Sequence, residues 1–406
     1  MTKQTNVIIG ASLAGASAAA TLRKNGFDGR IVLVGDEAEL PYERPALSKE
    51  YLRGEAETPV FVQPSDFYTG ADIELLLGHR ATRIDPAARE VATSAGTFAY
   101  DRLLLATGAS PRRLDIPGAD LAGITTLRTV ADADRIREQA SKANAIVVVG
   151  GGWIGSEVAA SLRQLGRDVT LVSTTRTPLE HVLGADVGEI YRQAHEDNGV
   201  KLVTEATVTR FAGRGRVEAV ETADGRRIPA DLVVVGIGAT PRIELAVEAG
   251  LAVDSGIVVD ANLESSVPGI YAAGDVAKAW HPHYRRHLRV EHWDNAKRQG
   301  RAAAGSMVGQ GKAYDRIPYF YSDQYDLGME YTGYAPRWDE VVFRGDPRTR
   351  EFVAFWLADG KVVAGMNMNI WDVAPAIETL IRSGRRIDPT RLVDVRQPLG
   401  ELATAA

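Results

Sequence analysis

The chain contains no cysteine. Disulfides, iron–sulfur clusters, zinc–thiolate sites and thiol catalysis are therefore excluded within it. No apolar run approaches the roughly 18 residues that a membrane-spanning helix requires. No signal or transit peptide is recognisable, because MTKQTN passes directly into the strand-like VIIG. A cytoplasmic protein is the expectation. Basic charge is not in excess either: the net charge is −6, which argues against general attraction to nucleic acid or membrane while leaving room for a local basic patch. What is present is an ordinary globular composition, 45% hydrophobic and 25% charged over 406 residues, enough for two or three domains with a sizeable core.

The stretch VIIGASLAGASAAATLR, Val7 to Arg23, reads as strand, turn and helix. Asn6–Ile9 is an apolar run that fits a buried parallel strand. The alanine-rich Ala14–Arg23 fits a helix. Gly10 permits a tight turn and Gly15 close helix–strand packing, as in a phosphate-cradling G-x-G-x-x-G turn. The middle position is Ser12, the next smallest polar choice, whose hydroxyl could donate to phosphate. A second strand, Ile31–Val34, ends in Gly35-Asp36-Glu37, which puts an acid where a ribose hydroxyl is held.

A second copy of this pattern follows. The apolar run Ala145–Val149 leads into GGGWIGSE, in which Gly150, Gly152 and Gly155 fill all three glycine positions. A helix to Leu165 and a strand Asp168–Val172 come next. Each copy is trailed by a similar segment, DRLLLATGASPR (Asp101–Arg112) and DLVVVGIGATPR (Asp231–Arg242). The repetition implies a duplicated βαβ domain. Each helix N-terminus offers free N–H groups and a positive dipole end to a pyrophosphate. A third signature, GIYAAGDVAKAW (Gly269–Trp280), places Asp275 on a turn, where it could bind a polyol chain; alone, Gly274-Asp275 is also a common turn. A helix is expected at about Trp293–Met307.

Together, VIIGASLAG, LLLATGA, VVVGGGWIGSE and YAAGD resemble, in order, the FAD and NAD(P)H signatures of flavoprotein reductases with two dinucleotide-binding domains. More narrowly, PYERPALSKEYLRG (Pro41–Gly54), RVEHWDNAKRQG (Arg289–Gly300) and YFYSDQYDLGMEYTG (Tyr319–Gly333) resemble the oxygenase-coupled ferredoxin reductases of the putidaredoxin reductase and biphenyl dioxygenase type. That branch also includes apoptosis-inducing factor. The likeness covers nearly the whole chain and departs from the glycine fingerprint at Ser12. It implies an α/β fold: two Rossmann-like domains of the glutathione-reductase-like kind plus a C-terminal α+β domain. An FAD domain is expected over 1–115 and 250–318, an NAD(P)H domain over 116–249 and a C-terminal interface domain over 319–406. Strands near Glu351–Leu357 and Val362–Asn369 and a helix near Pro375–Ser383 are expected in the last. ASPRRLDIPG (Ala109–Gly118) reads as a crossover between domains.

The resemblance also implies site residues. Gly10, Ser12, Leu13, Ala14, Gly15, Asp36 and Glu37 should hold the FAD pyrophosphate and adenosine. Lys49 should lie against the flavin ring, with Arg128 and Asp275 on the phosphates and ribityl chain. Arg44, Ala81, Ala106, Thr107, Gly108, Gly274, Glu291, His292, Trp293 and Ala296 complete the FAD set. The helix beginning at Trp293 should direct its N-terminus at the flavin, favouring negative charge on the reduced ring. For NAD(P)H the set is Gly150, Gly152, Trp153, Ile154, Gly155, Glu157, Ser173, Thr174, Arg176, Gly236, Ile237 and Gly238. Lys49 and Glu157 resemble a pair beside the flavin, with Glu157 accepting from the nicotinamide carboxamide. Read alone, they are also ordinary helix-end charges. The chemistry is the cofactor's, and the protein must bring nicotinamide C4 near flavin N5.

Without cysteine, the electrons must leave for an external acceptor, and a one-electron [2Fe–2S] ferredoxin serving a P450 or Rieske-type oxygenase fits. The rivals are a flavoprotein reducing quinone or oxygen, and a redox-sensing binding protein of the apoptosis-inducing-factor type. Slow turnover and a long-lived flavin–nicotinamide charge-transfer complex would mark the sensor. HPHYRRHLR (His281–Arg289) is either a solvated loop or a basic landing patch for an acidic ferredoxin, which RSGRRIDPTR (Arg382–Arg391) could extend. Its histidines lack a carboxylate-bearing metal motif, so no metal is assigned. The strand DVTLV ends at Ser173 rather than at an acid and continues Thr174, Thr175, Arg176. Hydroxyls and a guanidinium accept a 2′-phosphate that a carboxylate would repel, so the expectation leans to NADPH, preferred or alongside NADH. A solvent-facing Arg176 and a non-selective site is the alternative.

Overall fold

A computed structural model describes residues 4–403 and divides the chain into two compact units. The first comprises Met1–Glu43, Pro59–Ser110 and Ala239–Pro318; the second Arg44–Thr58, Pro111–Gly238 and Tyr319–Ala406. Among the described residues, no helix is long and apolar enough to cross a membrane.

The first unit is built on a five-stranded parallel sheet. Its spatial order is Ile270–Ala272, Arg102–Leu105, Thr5–Ile9, Arg30–Val34, Ile73–Leu76. Strand Thr5–Ile9 is buried from Asn6 onward because both faces of a parallel sheet are covered, which is why it reads as a continuous apolar run. The helix Leu13–Lys24 packs against the helix Trp293–Met307 through small residues. A Cβ at Gly300 would sit 2.1 Å from the Ala14 carbonyl oxygen, so the two backbones approach as only glycine allows.

The second unit contains the second copy. Its parallel sheet runs Lys201–Val203, Val169–Val172, Ile146–Val149, Leu232–Val235, Ile124–Thr125. In each copy the central strand leads into the glycine turn and is flanked by the strand after the helix and by the strand of the trailing segment. The two similar segments thus occupy equivalent places. The unit also holds an antiparallel five-stranded sheet, Tyr319–Gln324, Leu327–Gly333, Lys361–Met368, Glu351–Ala358, Glu340–Asp346, with the helix Ala374–Ser383 against it. This α+β part shares a core with the helix Ala185–Asp197, centred on the fully buried Trp356, whose Nε1 donates to the Leu183 carbonyl at 3.1 Å.

The helix crossing gives a direct test. Gly300→Ala forces a methyl into the Ala14 carbonyl. Overpacking of this kind is expected to destabilise by about 1–3 kcal/mol, read as a lowered Tm, whereas Ala302→Ser, two residues on in the same helix and only partly buried, is expected to leave Tm nearly unchanged.

Candidate functional site

In the first unit, the expected FAD residues gather at the C-terminal ends of parallel strands, the edge where open α/β sheets bind ligands. Gly10 follows Thr5–Ile9, Asp36 and Glu37 follow Arg30–Val34, Ala106–Gly108 follow Arg102–Leu105, and Gly274–Asp275 follow Ile270–Ala272. Contacts tie these turns together. Gly10 has φ +112°, and a Cβ there would lie 2.1 Å from the Ala106 carbonyl oxygen. A Cβ at Gly15 would lie 2.0 Å from the Gly10 carbonyl oxygen. Gly274 faces Ala14 and Ala296. Ala81 follows a stretch whose backbone closes on this edge, with the Gly78 N–H donating to the Glu37 carbonyl at 2.8 Å.

Ser12 is accommodated without strain. Its φ and ψ are −118° and −162°, extended backbone open to any residue. Its counterpart Gly152 is likewise extended at φ −81°, and a Cβ there would meet nothing within 4 Å. The outer glycines carry the geometric demand and the middle one does not. Ser12 makes no side-chain cap to its helix, and no acid occupies that helix's first turn. The N-terminal end is therefore free to take an anion such as a pyrophosphate. These features fit FAD.

The helix Trp293–Met307 also lacks a side-chain cap. Burial holds the preceding His292 neutral, its pKa lowered to about 4. Trp293 lies under Lys297, whose Nζ is 4.4 Å from the ring centroid. Glu291 is engaged by Arg289 in an ion pair.

Arg44, Lys49 and Arg128 belong to the second unit. The segment Arg44–Thr58 is anchored there by Leu52, fully buried, and by the Tyr51 hydroxyl donating to Asp134 at 3.0 Å. The Arg44 guanidinium donates to the Arg128 carbonyl. Lys49 follows a short 3₁₀ turn, Pro45–Ser48.

The Lys49 ammonium donates to Glu157 Oε2 at 3.0 Å and to the Pro45 carbonyl at 2.9 Å. Lys49 and Glu157 are each 5% exposed. Two hydroxyls complete the arrangement: Ser48 donates to Glu157 Oε2 and Ser322 to Glu157 Oε1 at 2.7 Å. The Tyr321 ring lies 5.6 Å from the Lys49 nitrogen. Oε1, with one protein donor, keeps room for another. Glu157 reaches this position because Gly155 lets its helix, Trp153–Gln164, sit tight on the glycine turn: a Cβ there would be 1.9 Å from the Gly150 carbonyl oxygen.

The remaining NAD(P)H residues surround the same edge of the second sheet. Gly150 lies against Gly236, at 2.3 Å from a would-be Cβ to its carbonyl oxygen. Gly152 is the N-cap and Trp153 and Ile154 begin the helix. Ile154 is 43% exposed, while Trp153 packs edge-on to Phe320 at 4.8 Å. Ile237 and Gly238 follow the strand Leu232–Val235. Ser173 is buried; its hydroxyl bonds Thr175 Oγ1 at 2.8 Å and accepts from the Thr175 N–H at 3.2 Å. Thr174 and Arg176 are exposed.

The segment His281–Arg289 is not a loop. Ala277–His281 and Arg286–Leu288 form an antiparallel hairpin, with the His281 imidazole buried against the Arg316 carbonyl at 2.9 Å. The alternate buried positions Ala277, Ala279 and His281 were the missed signal. Arg285 and Arg286 remain exposed at its tip. Arg385 and Arg386 are exposed in the other unit, where Arg382 pairs with Glu378 at 2.8 Å. Sequence reasoning also missed Ser48, Ser322 and Arg242; Ser322 stands 165 residues from the carboxylate it serves and no local pattern announces it.

Comparison with known proteins agrees with this geometry. Residues 4–300 match the pyridine nucleotide-disulphide oxidoreductase family and residues 319–403 the reductase C-terminal family. The chain belongs to the pyridine nucleotide-disulphide oxidoreductase family. It is 38% identical over 404 residues to the 5,5′-dehydrodivanillate O-demethylase ferredoxin reductase subunit of Sphingobium sp. (strain NBRC 103272 / SYK-6), covering 98% of each chain. It is 39% identical to the biphenyl dioxygenase system ferredoxin–NAD(+) reductase component of Paraburkholderia xenovorans (strain LB400), covering 99% of this chain and 98% of that one. The crystal structure of the covalent putidaredoxin reductase–putidaredoxin complex matches with a TM-score of 0.95 at 36% identity, over 100% of this chain and 99% of that one.

The buried pair predicts an asymmetry in stability. Glu157→Ala leaves the Lys49 ammonium buried with its charge unpaired and is expected to destabilise by about 3–5 kcal/mol. Lys49→Met combined with Glu157→Leu removes both charges and is expected to recover most of that loss in a urea titration.

Proposed function

We propose that the chain is an NAD(P)H-dependent ferredoxin reductase. The first unit would hold FAD and the second NAD(P)H, with 319–406 as the interface domain set beside the coenzyme domain. One observation carries the reading: two glycine turns of matching geometry, each at the C-terminal edge of its own parallel sheet, in a chain without cysteine. Such a chain can bind two dinucleotides but has no thiol pair to receive the electrons. Bound FAD would supply the chemistry that takes up a hydride and releases single electrons. The acceptor is a [2Fe–2S] ferredoxin serving a P450 or Rieske-type oxygenase, in line with the relatives' names. No nucleic acid or membrane partner is assigned, and a cytoplasmic location is proposed.

Gly10, Ser12, Leu13, Ala14 and Gly15 would cradle the FAD pyrophosphate and Asp36 its adenosine ribose. The open side of Glu157 Oε1 would accept an N–H of the nicotinamide carboxamide. Lys49 would hold that carboxylate in place. Exposed Arg285 and Arg286 would steer an acidic ferredoxin.

Ser173, Thr174 and Arg176 support NADPH use. No carboxylate ends the strand Val169–Val172, and the Ser173 hydroxyl is taken up by Thr175, leaving Arg176 and Thr174 to meet a 2′-phosphate.

The test is cytochrome c reduction with NADPH and with NADH, with and without a panel of [2Fe–2S] ferredoxins. Addition of the right ferredoxin is expected to raise the rate by about an order of magnitude or more. Arg176→Ala is expected to lower kcat/KM for NADPH about tenfold while sparing NADH. Rates indifferent to every ferredoxin, with oxygen or quinone taking up the electrons, would overturn the acceptor assignment.

A further inference from the structure

Arg242 ends the trailing segment of the second copy, Asp231–Arg242, yet it lies in the first unit and bonds to residues there. Its Nη1 donates to Asp36 Oδ2 at 2.9 Å and its Nε to the Ser110 hydroxyl at 2.8 Å. Its backbone N–H donates to the Gly108 carbonyl at 3.0 Å, and its own carbonyl accepts from the Thr107 hydroxyl at 2.8 Å. One residue therefore links the acid beyond the strand Arg30–Val34 to the turn beyond the strand Arg102–Leu105. These strands flank the central strand Thr5–Ile9 on either side, so Arg242 spans the sheet edge at which the glycine turn sits.

We propose that Arg242 is the positioning residue for Asp36. Its planar guanidinium, held by Ser110 on a backbone that two further bonds fix, holds one carboxylate oxygen and leaves the other turned to a ligand. A carboxylate held this way accepts vicinal hydroxyls in a set orientation, as the adenosine ribose of a dinucleotide presents them. The inference rests on the first unit being the FAD unit. The side chains of Arg242 and Asp36 are 37% and 41% exposed, so the ion pair contributes little to folding. Its value lies in orientation.

The role is tested on the holoprotein by following FAD release on dilution, as the rise in free-flavin fluorescence, beside thermal unfolding. Arg242→Gln is expected to accelerate release about tenfold and to shift Tm by less than about 2 °C. Arg242→Lys keeps the charge but loses the fork and is expected to fall between. Asp36→Asn is expected to match Arg242→Gln, and the double variant to be no worse than either single one. Independent, multiplying effects in the double variant would show that Arg242 acts on the ligand directly and would overturn the proposal, as would unchanged release in Arg242→Gln. Wild-type protein that is colourless and takes up no FAD would instead overturn the FAD reading, and this inference with it.

Discussion

A single buried carboxylate, Glu157, constrains the second unit. Lys49 and Ser48 donate to it from one stretch and Ser322 from another, and with the helix that carries Glu157 three stretches far apart in sequence meet here. A carboxylate and an ammonium out of water are tolerated only when charge and hydrogen bonds are both matched. The segment Arg44–Thr58, the helix Trp153–Gln164 and the strand Tyr319–Gln324 must therefore meet in one arrangement. Hydrophobic contacts supply most of the folding energy here, with Leu52 and Trp356 among them. The polar cluster decides which registry those contacts adopt.

The geometry of the two glycine turns explains both their likeness and their one difference. Gly10 and Gly150 share a φ near +111°, and Gly15 and Gly155 each press on the carbonyl of the turn's first glycine. No residue with a Cβ meets these conditions. The middle positions are extended, so Ser12 stands where Gly152 does without backbone penalty. The fingerprint is a set of unequal constraints, and a departure counts only at the positions where a Cβ would collide.

Local patterns were therefore legible in the sequence. Apolar runs such as Val7–Ile9 and Val147–Val149 are buried parallel strands, and the helix Trp293–Met307 lies at the residues expected for it. Lys49 and Glu157 were paired by family likeness, and they lie 3.0 Å apart. What was not legible depends on distant partners. Ser322 and Arg242 look like ordinary polar residues until the fold brings Glu157 and Asp36 to them. The hairpin through His281–Arg289 was hidden because its basic residues outweigh the short alternation that pairs its strands.

On the function proposed above, the held carboxylate of Glu157 would receive the nicotinamide carboxamide. The most direct measurement is anaerobic stopped-flow reduction of the bound flavin over a range of NADPH and NADH concentrations, comparing wild type with Glu157→Gln. The glutamine keeps the shape and one acceptor but lacks the charge that orients Lys49. A slower limiting rate and weaker coenzyme saturation are expected, by about tenfold together, with FAD content unchanged. Wild-type reduction kinetics in that variant would contradict it.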